Sequence, residues 1–368
     1  MKQRTFKLKE FAQDISVAVK DAQLSPLKRF VGLEHYDSNE PVITRFTDTS
    51  LLSSSVKEFS ENDILIARRN VYLRRAGIVF FSGLTSGDSI VLRIYNDCED
   101  RTGIPKDDAI RIIPFILNSN DFWAYANKHA DGMNSKRISK DMLYDYEFSL
   151  PPIEEQRILA DKLWAAYRLK ESYKKLLTAT QEMVKSQFIE MFYGMTTTPV
   201  KDYIDDSFPG EWGTEDKDGN GVKVIRTTNF TNSGKLNLED VVTRNIEERK
   251  VLRKQIKKYD TILERSGGTA DNPVGRVVLF EEDEQYLCNN FTQVLRFKNI
   301  DPRFAFYSLY YFYQTSKTAI RSMGSKTTGI QNLNMGKYQE IGVPNASDEQ
   351  QKAFVSIVEQ ADKSEYYN

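Results

Sequence analysis

The feature that most constrains what this 368-residue chain can fold into is that its short motifs recur in the same order. Residues 63–68 read DILIAR and residues 260–265 read DTILER, with Asp63 matching Asp260 and Arg68 matching Arg265. AGIVFF (76–81) answers VGRVVLF (274–280) with Gly77 against Gly275, and VLRIYN (91–96) answers VLRFKN (294–299). LPPIEEQ (150–156) then answers VPNASDEQ (343–350), with Pro151 against Pro344. Any one match is weak. Four in order, with drifting spacing, describe one unit duplicated and then diverged in its loops.

Each copy reads the same way. Apolar segments near 63–67, 76–81 and 89–95, bounded by Gly, Asn and Asp, predict short strands. Helical patterns follow at 110–130 and 303–323, then a polar loop, a last short strand ending FSLP or IGVP, and a new helix. The fold class is α+β, twice over.

The first of those new helices is the most regular piece of the chain. Pro151 and Pro152 stop the strand, Glu154 and Glu155 suit the positive first turn, and no Pro or Gly follows until Gly194. About forty residues at ~1.5 Å each give a rod of roughly 60 Å. Leu159, Leu163, Ala166, Tyr173, Leu177, Thr180, Val184 and Met191 step by threes and fours, a stripe able to pair with another helix as a coiled coil. Lys170 and Gln187 interrupt that seam, and one amphipathic helix lying on a domain reads equally well. The second helix, within 348–368, is about half as long and carries Phe354, Ile357, Val358 and Ala361 on one face.

Composition excludes several function classes. Acids number 52 and bases 51, a net charge of −1, which rules out wrapping nucleic acid by bulk charge but not by local patches. Two cysteines and two histidines, His35 and His129, lie too far apart for a zinc site. No run approaches ~18 apolar residues and MKQRTFKLKEFAQ has no apolar signal core, so a cytoplasmic location is expected. Phosphate-loop, dinucleotide and nucleophile-elbow motifs are missing, as is the Asn-Pro-Pro-aromatic segment of adenine methyltransferases. DKDGNG (216–221) matches half of a calcium loop, but Thr227 stands where a bidentate Glu is required, so a hairpin turn is expected.

The order of parts resembles the specificity (S) subunit of type I restriction–modification enzymes. LPPIEEQRILADKL followed by KSQFIEMFYG is similar to that family's central repeat; DTILERSGG and GKYQEIGVP resemble segments of its target recognition domains. The resemblance implies two tandem α/β target recognition domains, 1–150 and 196–345, around a central helix, 151–195. A shortened helix, 346–368, would pair with it in an antiparallel coiled coil of pseudo-two-fold symmetry. It implies a non-catalytic subunit for host defence that reads a bipartite double-stranded DNA site. It would scaffold two modification (adenine methyltransferase) subunits and restriction/translocase subunits. S-adenosylmethionine, ATP and Mg would belong to those partners, with no cofactor or metal in this chain. The family's second helix usually matches the first, so the exposed part of the stripe is expected to meet a modification subunit or a second copy of this chain. The competing readings are a duplicated protein-binding adaptor and a self-contained DNA-modifying enzyme.

Candidate DNA-binding residues follow from chemistry. Arg68, Arg69, Arg74 and Arg75 put four guanidiniums in eight positions, suited to phosphate or to guanine O6/N7, or simply to a solvated strand pair. In 264–276, Gly267 and Gly268 permit close backbone approach while Arg265, Ser266, Thr269 and Arg276 can meet phosphates or base edges. The loops 132–139, with Lys136 and Arg137, and 324–332, with Ser325, Lys326 and Thr327, occupy matching places and are rich in basic, hydroxyl and amide groups. The run Arg249, Lys250, Arg253, Lys254, Lys257 and Lys258 reads as a phosphate-contacting or solvated helix face. Near-neutral charge predicts weak DNA binding by the chain alone.

Overall fold

A computed structural model describes residues 3–52, 56–133, 135–269, 271–327 and 330–366. The chain divides into two compact units, Met1–Ser172 and Tyr173–Asn368.

In the first unit, Ala12–Asp14 (β2), Ser89–Ile94 (β5), Ile64–Ala67 (β3) and Ala76–Ile78 (β4) form one sheet in that spatial order. Arg4–Lys7 (β1) pairs with Glu147–Leu150 (β6) beside it. The run ILIA is continuous rather than alternating because both faces of β3 are covered. Ile64 and Ile66 face a core with the helices Lys106–Ile116 (α1) and Asn120–Lys128 (α2), while Leu65 and Ala67 face Val31, Phe59 and Val79. That second core is roofed by a five-stranded mixed sheet in which Arg29–Val31 and Gly83–Ser86 run parallel. The helix expected over 110–130 is two. Leu117 closes α1, and Ser119 starts α2 by accepting a hydrogen bond from the Phe122 amide.

The second unit repeats the plan. Thr197–Pro199 (β7) pairs with Gly342–Pro344 (β15), and Ile204–Pro209 (β8), Thr292–Phe297 (β12), Thr261–Glu264 (β9) and Val277–Leu279 (β11) follow the spatial order of the first sheet. A mixed sheet again lies alongside, with Val222–Ile225 parallel to Tyr286–Cys288. Thr214–Glu215 and Val222–Ile225 both pair with Val242–Asn245 rather than with each other, so DKDGNG joins non-adjacent strands instead of closing a hairpin. Asp216 caps that turn by accepting the Gly221 amide. The helix expected over 303–323 is also broken, into Pro302–Thr315 (α4) and Lys317–Met323 (α5).

The hydrogen-bond ladders correct two of the matches read from sequence. Ala67 donates to the Arg75 carbonyl and Glu264 to the Arg276 carbonyl, so Arg75 corresponds to Arg276, and Gly275 to Arg74 rather than to Gly77. The positive φ of both, 50° at Arg74 and 108° at Gly275, agrees. The five residues 70–74 are replaced by the nine residues 267–275, and that insertion misled the alignment of glycines. Likewise Gln156 and Gln351 each donate to the carbonyl five residues upstream, Pro151 and Ala346, so Pro151 answers Ala346 and not Pro344.

A buried aspartate is paired with an arginine twice. Asp63 accepts two bonds of 2.7 Å from Arg93 and a third from the Ser60 amide; Asp260 accepts 2.9 and 2.6 Å bonds from Arg296 and one from the Lys257 amide. In each case the carboxylate raises its arginine's pKa through the hydrogen bond. Each pair clamps the start of one central strand to its neighbour.

Ile153–Phe192 is one uninterrupted helix (α3), with residues 153–172 in the first unit and 173–192 in the second. In the first unit Trp164 packs on Phe115 and donates to the Arg111 carbonyl. In the second, Val184, Phe188 and Phe192 pack with Phe304 and with Phe354 of the helix Asp348–Tyr366 (α6), whose Phe354 and Val358 are buried. Ile357 is half-buried, as are Tyr173 and Met191 on α3, whereas Leu159, Ala166 and Leu177 are exposed. Among the described residues no helix is long and apolar enough to cross a membrane.

Candidate nucleic-acid interface

Both units bring the residue after the central strand against a returning polar loop. In the first, Ile138 donates to the Arg68 carbonyl and Arg69 bridges Arg137; in the second, Leu333 donates to the Arg265 carbonyl and Ser266 pairs with Asn332. The loops 132–139 and 324–332 therefore hold equivalent places. In the second unit the contact is a full three-stranded sheet of Ser266–Gly267 (β10), Ile330–Leu333 (β14) and Gly324–Thr327 (β13). The side chains of Lys326 and Thr327 lie outside the described residues.

The first unit gathers charge. Arg69 Nη1 lies 3.0 Å from Asp88 Oδ2, Arg68 Nε 3.9 Å and Arg137 Nη2 4.0 Å from Asp88 Oδ1. Three guanidiniums share one carboxylate, leaving a local excess of positive charge at a half-open surface. Lys57 is close enough to be affected: burial pulls its pKa down, Asp14 opposes this, and Lys140 and Arg68 add to it. Arg75 holds the turn from inside, donating to the Leu33 carbonyl at 3.0 Å and the Arg69 carbonyl at 3.2 Å; burial lowers its pKa. Arg74 points elsewhere, to Asn120 at 2.9 Å, and Lys136 is exposed.

The second unit replaces charge with hydroxyls, amides and an aromatic ring. Ser266 donates to Asn332 Oδ1 at 2.7 Å, Thr269 accepts the Asn272 amide, and the Arg265 guanidinium donates to Gln293. A Cβ on Gly268, whose φ is 64°, would sit 2.8 Å from the Val274 nitrogen, so this turn requires glycine. Ser325 is exposed, its hydroxyl 3.4 Å from the Asn332 carbonyl. Phe291, 40% exposed, stands where the first unit has Asp88: the Arg68 amide donates to the Asp88 carbonyl, and the Arg265 amide to that of Phe291. Beside it a cleft of about 500 Å³ is lined by Trp212, Thr227, Thr228, Asn289 and Asn290.

Arg276 differs from the other candidate arginines. It donates to Glu264 at 2.7 and 3.2 Å and to the Thr227 carbonyl; burial pulls its pKa down, and the Glu264 bond and charge more than offset that. A guanidinium so engaged shapes the loop rather than reaching out of it. On the helix Glu248–Lys254 and just beyond it, Lys250 and Lys254 pair with Glu211 and Lys258 with Asp283, while Arg249, Arg253 and Lys257 are exposed. Among the described residues no three His, Cys, Asp or Glu could jointly hold a metal ion. His35 is buried and accepts the Gly32 amide; His129 lies on Tyr125.

Asp88 and Phe291 are the residues that sequence reasoning did not single out, whereas Gln331 and Asn332 supply the amides of the loop 324–332 already singled out. The signal for the first two was available in register: each precedes the strand that answers the central one.

Residues 207–366 match the model of the type I restriction modification DNA specificity domain. The structure is similar to that of a type I restriction-modification system S subunit from M. genitalium, with 14% identity, 99% of this chain and 90% of that one covered, and a TM-score of 0.54. An HsdS subunit from Thermoanaerobacter tengcongensis matches at 16% identity over 98% and 89%, with a TM-score of 0.36. No curated protein matches the sequence. The family match falls within the second unit, and the first unit repeats that unit's strand order.

Proposed function

We propose that the chain is the DNA sequence-recognition subunit of a type I restriction–modification complex, in which 1–150 and 196–345 each read one half of a split site. The observation that carries this is the same sheet built twice, each time presenting the residues after its central strand beside a returning polar loop. In this reading Arg68, Arg69, Lys136 and Arg137 face DNA from one unit. Arg265, Gly267, Gly268, Thr269, Ser325, Lys326 and Thr327 do so from the other, with Arg75, Ser266 and Arg276 shaping the loops and Arg74 meeting the backbone. Residues 151–195 set the distance between half-sites, and 346–368 pair with them.

The chain carries no chemistry of its own. Methyl transfer to adenine, with S-adenosylmethionine, and ATP-driven translocation and Mg-dependent cleavage belong to modification and restriction subunits. The open face of α3 supports a docking role. Leu159, Leu163 and Ala166 with Ile112 and Phe115 of α1 line an apolar groove of about 500 Å³. The equivalent Phe354, Val358 and Ala361 are covered in the second unit by Val184, Phe188 and Phe192. A helix of a modification subunit, or of a second copy of this chain, fills that groove in the assembly.

Mapping methylated adenines in cells carrying this chain and its modification subunit tests the reading. A two-part motif with an unspecified spacer is expected, and inserting four residues within 160–190 should change the spacer length. Sequence-independent methylation would overturn it, as would cleavage or methyl transfer by the purified chain given DNA, magnesium and S-adenosylmethionine.

A further inference from the structure

We infer that the two units read different base chemistry: the first a half-site centred on G·C pairs, through Arg69, Arg137 and Asp88, the second one centred on A·T pairs, through Gln331, Asn332 and Phe291. This rests on the DNA-reading function proposed above.

The argument starts from backbone equivalence. Four positions are occupied by different side chains on the same ladder. Arg69 stands where the second unit has Ser266, and Arg137 where it has Asn332, since each pair forms the matching bridge. Lys136 corresponds to Gln331, because Asn70 donates to the Lys136 carbonyl where Gly267 pairs with Gln331, and Asn70 and Gly267 share positive φ. Asp88 corresponds to Phe291 through the amides of Arg68 and Arg265. Arg68 and Arg265 are the constant members, so a contact common to both halves falls to them.

The varying set sorts by what each side chain can recognise. Guanidiniums donate two bonds to guanine O6 and N7, and a carboxylate accepts from cytosine N4, so Arg69, Arg137 and Asp88 together match both members of a G·C pair. Asp88 also holds Arg69 at 3.0 Å, fixing the fork before DNA arrives. Side-chain amides bond adenine N6 and N7, and an aromatic edge packs on the thymine methyl, so Gln331, Asn332 and Phe291 match an A·T pair. Ser266 orients the Asn332 amide by donating to its oxygen at 2.7 Å. Phe291 is 40% exposed, and its carbonyl accepts the amide of Ser266, the strand partner of Asn332.

The test uses the full chain with its modification subunits and a library of bipartite sites. Arg69→Ser with Arg137→Asn installs the residues that the same backbone already holds in the second unit, so folding should survive; an unchanged melting temperature checks it, and Asp88→Asn is a milder second variant. Discrimination for G·C should fall roughly 5- to 150-fold in one half-site and stay unchanged in the other. Gln331→Lys with Phe291→Asp should relax A·T positions in the opposite half. The inference is overturned if the half-site loosened by the arginine variant contains no G·C pair, or if both halves loosen together. Uniformly weaker binding with a shallower salt dependence also overturns it, by marking the arginines as phosphate contacts. A wild-type complex with no sequence preference in either half would instead sink the DNA-reading function itself.

Discussion

The two units spend their shared framework differently. Both clamp the central strand by pairing a buried aspartate with an arginine, both turn the chain through a left-handed residue, and both bring a polar loop back onto the strand end. Yet the first unit's tip is a cluster of arginines around Asp88, while the second's is Ser266, Gln331, Asn332 and Phe291 within a three-stranded sheet. Their helix faces differ too. Leu159 is 42% exposed, and its counterpart Phe354 is fully buried under two phenylalanines. The lesson is that ladder hydrogen bonds and aspartate–arginine pairs fix the backbone tightly enough for the tip residues to vary freely.

That comparison is sharpest in the ion pairs. Glu264 is buried and its partner Arg276 only 16% exposed, whereas Arg93, the partner of Asp63, is 37% exposed. Removing one partner of a buried pair strands the other charge and costs about 3–5 kcal/mol. Glu264→Ala should therefore destabilise the second unit by that order in urea unfolding. Asp63→Ala should cost the first unit distinctly less, because Arg93 can turn to water. Equal losses would break the distinction.

A charge placed on the helix faces separates them next. Val358→Asp buries a carboxylate among Val184 and Phe354 and should cost about 2–4 kcal/mol in unfolding experiments. Leu159→Asp should leave stability within about 0.5 kcal/mol while abolishing association with a partner helix, read by light scattering of the mixed subunits. If Leu159→Asp unfolds the first unit instead, its face is core and not a docking groove.

Much of this was legible in residue order, and what was not has physical causes. The duplicated strands, the forty-residue helix and the placing of both polar loops could be read because burial on two faces leaves continuous apolar runs and because nothing interrupts α3. The glycine match failed because an insertion between Gly267 and Gly275 shifts spacing without disturbing the ladder, and the proline match because the link from last strand to helix is two residues in one unit and three in the other. The breaks at Leu117 and Ser316 were missed because helical periodicity persists across them. Among the candidate arginines, sequence could not separate Arg276, held by Glu264, from Arg69 and Arg137, since which carboxylate lies opposite is a property of strand register.

Left-handed turn residues give a smaller contrast. At equivalent positions the first unit uses Arg74 and the second Gly275. Gly275→Ala places a Cβ 3.3 Å from Ile320 at a φ of 108° and should cost about 1–2 kcal/mol. Arg74→Gly relieves its φ of 50° but loosens the unfolded chain, so the net change in unfolding free energy should stay within about 0.5 kcal/mol.

The cysteines allow the units to be followed one at a time, with the smallest perturbation. Cys98 is buried in the first unit and Cys288 in the second, both as free thiols. Burial pushes the Cys288 thiol up to about 11 and raises Cys98 as well, with the Thr292 and Thr102 hydroxyls opposing the shift only in part. Because the thiolate is the reactive form, neither should react with a thiol reagent at neutral pH while its unit is folded. Labelling in graded urea, with the label located by mass spectrometry, should release each thiol at its own unit's transition. Glu264→Ala should move the Cys288 transition alone. If Cys98 shifts with it, the units unfold as one body and the separate ledgers drawn for them merge.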